Sequence, residues 1–314
     1  MKKKGTILIY PFVFMAVLIL FSAGCKKKST TGSSDECAAV SNSGVSYRDG
    51  FDRPVAIAFS PAQKVVVTEY RGMDYLGNYI AYGLTAPVKI FLNTADFYSN
   101  TVDIPLAGIY APEAAAFDAN ENLYITQTET TAGVSIFQPP YSAIFKTIQS
   151  GFNNPRGIAF DGSGNLYLAD DGGGRIVKIS NPLGVDAEAD LITGLNSPKA
   201  VAISGNFIFI AEYDANRVTK YNIASPAAPA ETFSIDHPID LHVSGCMLYI
   251  STHGVNVGGY GSSKVVAVKA DNMNAGIQKD YTGFTGITFG IATDQAGNLF
   301  ISDFSGGKIR KYLK

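Results

Sequence analysis

One phrase, written six times, constrains this chain more than any other feature. A proline opens a short apolar run that reads PVAIAFS from Pro54, PEAAAFD from Pro112, PRGIAFD from Pro155, PKAVAIS from Pro198 and PIDLHVS from Pro238. A proline-less sixth copy, TFGIATD, starts at Thr288. Successive copies begin 58, 43, 43, 40 and 50 residues apart, the length that four short strands and their turns occupy. Each is followed by a second run (VVVTEY, NLYITQ, NLYLAD, FIFIAE, MLYIST, NLFISD) and a third (PVKIFL, GVSIFQ, RIVKIS, RVTKYN, KVVAVK, KIRKYL). The runs are strand-length, β-branched and aromatic, and Gly, Asn and Asp fill the turns between them.

A lone four-stranded sheet leaves one face uncovered, whereas six arranged radially cover one another. The expected fold is therefore all-β, a six-bladed β-propeller with four-stranded blades over residues 44–314. The strand after the proline is innermost. Fourth strands are expected in the spacers, at Ile144 to Ser150, Ala189 to Thr193 and Glu231 to Ile235. The sixth copy ends at Lys314 after three strands, and an orphan run, Gly44 to Arg48, precedes the first copy. If that run forms the outer strand of the last blade, the ring closes by pairing the two ends and leaves no open edge.

The N-terminal segment is separate. Lys2, Lys3 and Lys4, an apolar run from Ile7 to Phe21 and the small residues Ser22-Ala23-Gly24 before Cys25 have the three-part layout of a bacterial signal peptide. The last four resemble a lipobox, with Ser22 where that pattern usually has Leu. The resemblance implies a signal peptide at 1–24, lipidation of Cys25 and a flexible tether at 25–43, so the expected location is the bacterial cell envelope, anchored to the membrane through lipid. Removing 1–24 takes away three lysines and no acids, leaving 22 basic against 27 acidic residues and a net charge of −5. That balance is a poor footprint for nucleic acid, and none is expected as a partner.

The units from Asn154 to Ile179 and from Ser197 to Tyr221 resemble NHL repeats, and residues 44–314 as a whole resemble NHL-type six-bladed propellers. The resemblance speaks for fold more than function, because such propellers include scaffolds for proteins, RNA or sugars as well as lyases and lactonases.

Acids ending the second run face bases opening the third, five residues on, as Asp170 and Arg175, Glu212 and Arg217, Asp303 and Lys308. Cross-strand ion pairs are expected of all three. The informative positions are those where one copy departs from the others. Two and four residues after the aligned proline the copies carry Ala or Gly, except in blade five, which has Asp240 and His242. A carboxylate and an imidazole on one face of an inner strand are candidates for an acid–base pair or part of a metal site, or for a mutually satisfied polar pair. Directly after the proline stand Glu113, Arg156 and Lys199 on three consecutive blades. They are candidate ligand contacts for an anionic or polyhydroxylated molecule, or a group paired within itself. Two long loops, Arg71 to Ala86 and His253 to Ser263, add Tyr75, Tyr79, Tyr82, His253 and Tyr260 as candidate partner contacts. Cys37 and Cys246 are a candidate disulfide in an oxidising compartment.

No P-loop, paired CxxC, HExxH or GxSxG motif occurs. No cofactor is expected, and a divalent metal in the central channel is left open. The favoured function is a lipid-anchored scaffold that binds a protein or glycan on its top face. The alternative is a propeller-type lactonase or lyase centred on His242 and Asp240.

Overall fold

The computed structural model describes residues 39–41, 45–70, 88–99, 104–106, 108–128, 132–149, 151–185, 187–256, 259–260 and 263–314. They form a six-bladed β-propeller. Blade three shows the plan, with Pro155–Phe160, Leu166–Asp170, Arg175–Ser180 and Ala187–Thr193 pairing antiparallel in sequence order from axis to rim. The other inner strands are Pro54–Phe59, Pro112–Phe117, Pro198–Ser204, Pro238–Ser244 and Thr288–Thr293. Ser46–Asp49 forms the outer strand of blade six, with Ser46 opposite Lys311 and Asp49 opposite Lys308, so the two ends of the chain close the ring as the orphan run implies.

The second strands are buried on both faces because each blade is covered by two others. In the second strand of blade one, Val66 packs toward blade two with Ile125 and Phe137, while Val65 and Val67 pack toward blade six with Phe300 and Ile309. The described residues hold six such apolar clusters, one at each seam. Val40, ahead of the closing strand, is buried in the seam between blades five and six. Its backbone N–H donates to the Tyr249 hydroxyl at 3.3 Å, and its carbonyl accepts from the Tyr281 hydroxyl at 2.5 Å.

Two repeated devices set the top of each blade. The residue before each inner-strand proline, namely Arg53, Ala111, Asn154, Ser197 and His237, has positive φ. Its carbonyl accepts the N–H of the residue that follows the second strand, from Tyr70, Thr128, Asp171, Tyr213 and His253, and Ile287 and Phe304 repeat the bond in blade six. In five blades the last side chain of the second strand is buried and accepts a backbone N–H from the loop leading to the inner strand. Glu69 takes Asp52, Gln127 takes Tyr110, Asp170 takes Asn153, Glu212 takes Asn196 and Asp303 takes Thr285. These acids are thereby explained as loop anchors whose burial is offset by hydrogen bonds.

The expected ion pairs form at Asp170–Arg175 (2.9 Å) and Glu212–Arg217 (2.8 Å). The third does not. Asp303 binds Arg310 through Nε at 3.0 Å and Nη2 at 2.6 Å, while Lys308 lies 4.0 Å from Asp49. Arg310 stands two residues further along the same strand face, and its planar fork reaches the buried carboxylate through two donors, which an ammonium cannot match.

The small residues of the inner strands answer to crowding between neighbouring blades. A Cβ on Gly157 would lie 2.6 Å from the Ala200 Cα, and one on Gly290 would lie 2.6 Å from the Val55 carbonyl oxygen. Gly157→Ala is therefore expected to cost about 1–3 kcal/mol by overpacking against backbone, measured as a shift in the urea midpoint. Gly162→Ala, at a turn with nothing within 4 Å, serves as the near-neutral control.

Candidate functional site

The six inner strands enclose a cavity of about 530 Å³ along the axis. Its top mouth is built from two positions per blade, each fixed by the devices above. One is the residue after the proline: Val55, Glu113, Arg156, Lys199, Ile239 and Phe289. The other is the residue after the second strand, which lines the cavity as Tyr213 and His253 in blades four and five and holds the equivalent backbone position as Tyr70, Thr128, Asp171 and Phe304 in the rest.

Across blades two to five these positions form a continuous polar crescent. Arg156 Nη1 pairs with Glu113 Oε2, and its Nε lies 3.5 Å from Asp171 Oδ2. The same Asp171 oxygen takes Lys199 Nζ at 2.5 Å and Asn154 Nδ2 at 2.7 Å, while its other oxygen accepts the Ser197 hydroxyl at 2.7 Å. Lys199 also sits 5.4 Å from the centre of the Tyr213 ring. The Tyr213 hydroxyl is 2.7 Å from His253 Nδ1, and its ring meets His237 edge to face at 4.7 Å. Burial pulls on the Arg156 guanidinium, but Glu113 and Asp171 outweigh it and hold its pKa above the ordinary value. His253 is pushed below the usual imidazole range by burial and by the neighbouring His237, so it is neutral near pH 7.

Glu113, Arg156, Lys199 and His253 thus come together, and the first three are paired within one network. Asp171 and Tyr213, which join them, are not among the candidates read from the sequence. Their signal is the alignment column directly after the second run, where the six copies differ as much as in the column after the proline. Tyr75, Tyr79 and Tyr82 lie outside the described residues, as do Cys25 and Cys37. Tyr260 belongs to a short hairpin of Val255–Asn256 with Gly259–Tyr260. Cys246 is disulfide-bonded, to a partner outside the described residues.

Deeper in the channel, Asp240 and His242 line the wall together. They do not bond to each other. Asp240 Oδ2 accepts the Ile291 N–H of the adjoining inner strand at 2.8 Å, and His242 Nε2 lies 2.9 Å from Thr293 Oγ1. Both reach sideways into blade six, filling a seam that other blades close with Ala or Gly. Burial raises the Asp240 pKa to about 7, against the pull of the Ile291 and Leu241 amides, and lowers that of His242 to about 4. Among the described residues no three His, Cys, Asp or Glu side chains converge as a metal-ligating group.

No protein-family model matches the sequence, and no curated protein matches it. Solved structures do match. A chain from a nidogen/laminin complex aligns with a TM-score of 0.59 at 16% identity, covering 76% of this chain and 83% of that one. A catalytically inactive virginiamycin B lyase from Staphylococcus aureus, solved with quinupristin, aligns with a TM-score of 0.54 at 13% identity over 86% of this chain and 99% of its own. A streptogramin B lyase gives 0.51 at 15% identity, over 85% and 96%. At such identities the likeness establishes the propeller fold and carries no residue roles.

The two channel groups have opposite linkage to folding. Asp240 has a folded pKa above its unfolded value, so its contribution is present below about pH 4 and is lost as pH rises toward 7. The folded pKa of His242 lies below its unfolded value, so its contribution is lost as pH falls from about 6.5 to 4. In the wild type the two proton balances cancel over that range. Asp240→Asn should therefore lose stability as pH drops from 7 to 4, and His242→Gln should lose it as pH climbs from 4 to 7. Urea unfolding across that range reads both slopes; parallel profiles for the two variants would contradict this account.

Proposed function

We propose that this protein is a lipid-anchored propeller of the bacterial cell envelope, with NHL-type repeats, that binds a protein or glycan ligand at the top mouth of its channel. The observation that carries this reading is the Glu113–Arg156–Asp171–Lys199 network. Elsewhere among the described residues acids anchor loops or pair across strands, and Glu121 bridges singly to Lys64 of blade one at the opposite end of the blades. Here four charged side chains from three blades gather at a cavity entrance, where the fold itself demands no charge, since blades one and six place Val55 and Phe289 at the equivalent positions. Ion pairs held in place before a ligand arrives present fixed donors and acceptors at little ordering cost.

The lactonase or lyase alternative draws support from the channel position of His242 and Asp240. Its weakness is that each is tied to a separate partner on blade six rather than to the other. The anchor rests on the charge and hydropathy pattern ahead of Cys25. No helix among the described residues is long and apolar enough to cross a membrane.

Two outcomes test this function. With a photoreactive residue replacing Thr128 at the mouth, irradiated cells should yield a discrete adduct, whereas the same residue at Gly162, in a turn at the opposite end of the blades, should not. Equal labelling from both, or none from Thr128, would contradict the top-face reading. Wild-type protein should incorporate labelled palmitate and Cys25→Ser should not; an unlabelled wild type would remove the anchor.

A further inference from the structure

The mouth of the channel has two unlike halves. Opposite the polar crescent, blades six and one contribute half-exposed aromatic rings. Phe289 and Phe304 lie 5.0 Å apart between centroids, and Phe304 and Tyr70 lie 6.1 Å apart. The halves adjoin, because Tyr70 stands on blade one and Glu113 on blade two. We propose that this mouth is a saccharide site that takes the end of a neutral glycan chain, with sugar faces against Phe289, Phe304 and Tyr70 and hydroxyls on Arg156, Asp171 and Lys199. The proposal rests on the top-mouth reading above and narrows its ligand.

Charge selects the class. Two cations, Arg156 and Lys199, are matched by two carboxylates, Glu113 and Asp171, and each cation already touches an acid. An anionic ligand would have to displace Asp171 from both cations, which costs charge-assisted hydrogen bonds about as strong as those it would form. A wholly apolar ligand would cover these groups and remove their remaining water without replacing it. A sugar hydroxyl both donates and accepts, so it serves a carboxylate oxygen and a guanidinium or ammonium proton at once and leaves the network intact. The C–H face of a pyranose suits an aromatic ring, burying apolar area while the hydroxyl rim stays hydrogen-bonded.

Shape selects the chain end. The cavity of about 530 Å³ continues below the mouth between strands walled by Ala58, Ala116, Ala159 and Ala202. A recess of that size, running along the axis between the six inner strands, admits a terminal residue and its neighbour end on, whereas the middle of a polymer needs a groove open across a surface.

The test uses the full-length lipoprotein in detergent and titrates it calorimetrically with neutral trisaccharides (chitotriose, maltotriose, cellotriose, mannotriose) and with acidic trisaccharides carrying uronic acids. At least one neutral trimer should bind with a Kd below about 1 mM. Tyr70→Ala and Lys199→Met should each weaken it on the order of tenfold. Tyr70→Phe, which keeps the ring, should bind like wild type and guards against reading misfolding as lost contact. Binding of acidic trimers alone, binding unaffected by the mouth variants, or no binding by any neutral trimer each overturns the proposal. If no sugar binds yet Thr128 still captures a protein, the top-face function stands and the saccharide fails; if neither is seen, both fall.

Discussion

Every other feature of this molecule depends on blade-to-blade packing at six apolar seams. A blade has no core of its own, since its second strand is buried on both faces only when two neighbours are present. Burying one Val, Ile or Phe side chain contributes about 1.5–3 kcal/mol, and each seam holds nine or more buried apolar residues, at least four of them Val, Ile or Phe, so the ring stands or falls as a unit. Closure by Ser46–Asp49 is the last step of that logic, covering the edge of blade six with the other end of the chain. Val40 extends it inward, seated in the adjoining seam between two tyrosine hydroxyls.

The seams leave the ends of the strands chemically unconstrained, and this is where the fold gains room for a site. A left-handed residue before the proline, its carbonyl bond to the residue after the second strand, and a buried acid or amide holding the loop recur around the ring. These contacts use backbone or buried groups. Two side chains per blade are then presented at the mouth in equivalent positions whatever their identity. Blades two to four carry charge there and blades six and one carry aromatic rings, so one scaffold yields a two-sided opening.

Blade five shows the reverse case, a departure placed inside a seam. Asp240 and His242 occupy space that Ala and Gly leave elsewhere, and each finds one hydrogen-bond partner on blade six. Burial disfavours the charged form of both, which raises one pKa and lowers the other. A carboxyl that retains its proton and an imidazole that sheds its own make a seam without charge over much of the acidic range.

Blade number, strand order and the closing strand were legible in the sequence, because strand period, turn residues and repeat phase are local properties that six copies reinforce. The columns of the site were partly legible for the same reason: Glu113, Arg156 and Lys199 stand out because their counterparts differ. What they touch was not. Asp171 joins Arg156 to Lys199 across a blade boundary, and Tyr213 meets His253 forty residues away. Local spacing also assigned Lys308 to Asp303, where the folded protein uses Arg310. The sequence by itself determined a ring of six blades and the positions that vary around it. Only the tertiary structure decided which of those side chains meet, because closing the ring converges six distant strand ends on one axis and lets reach and burial select the partners there.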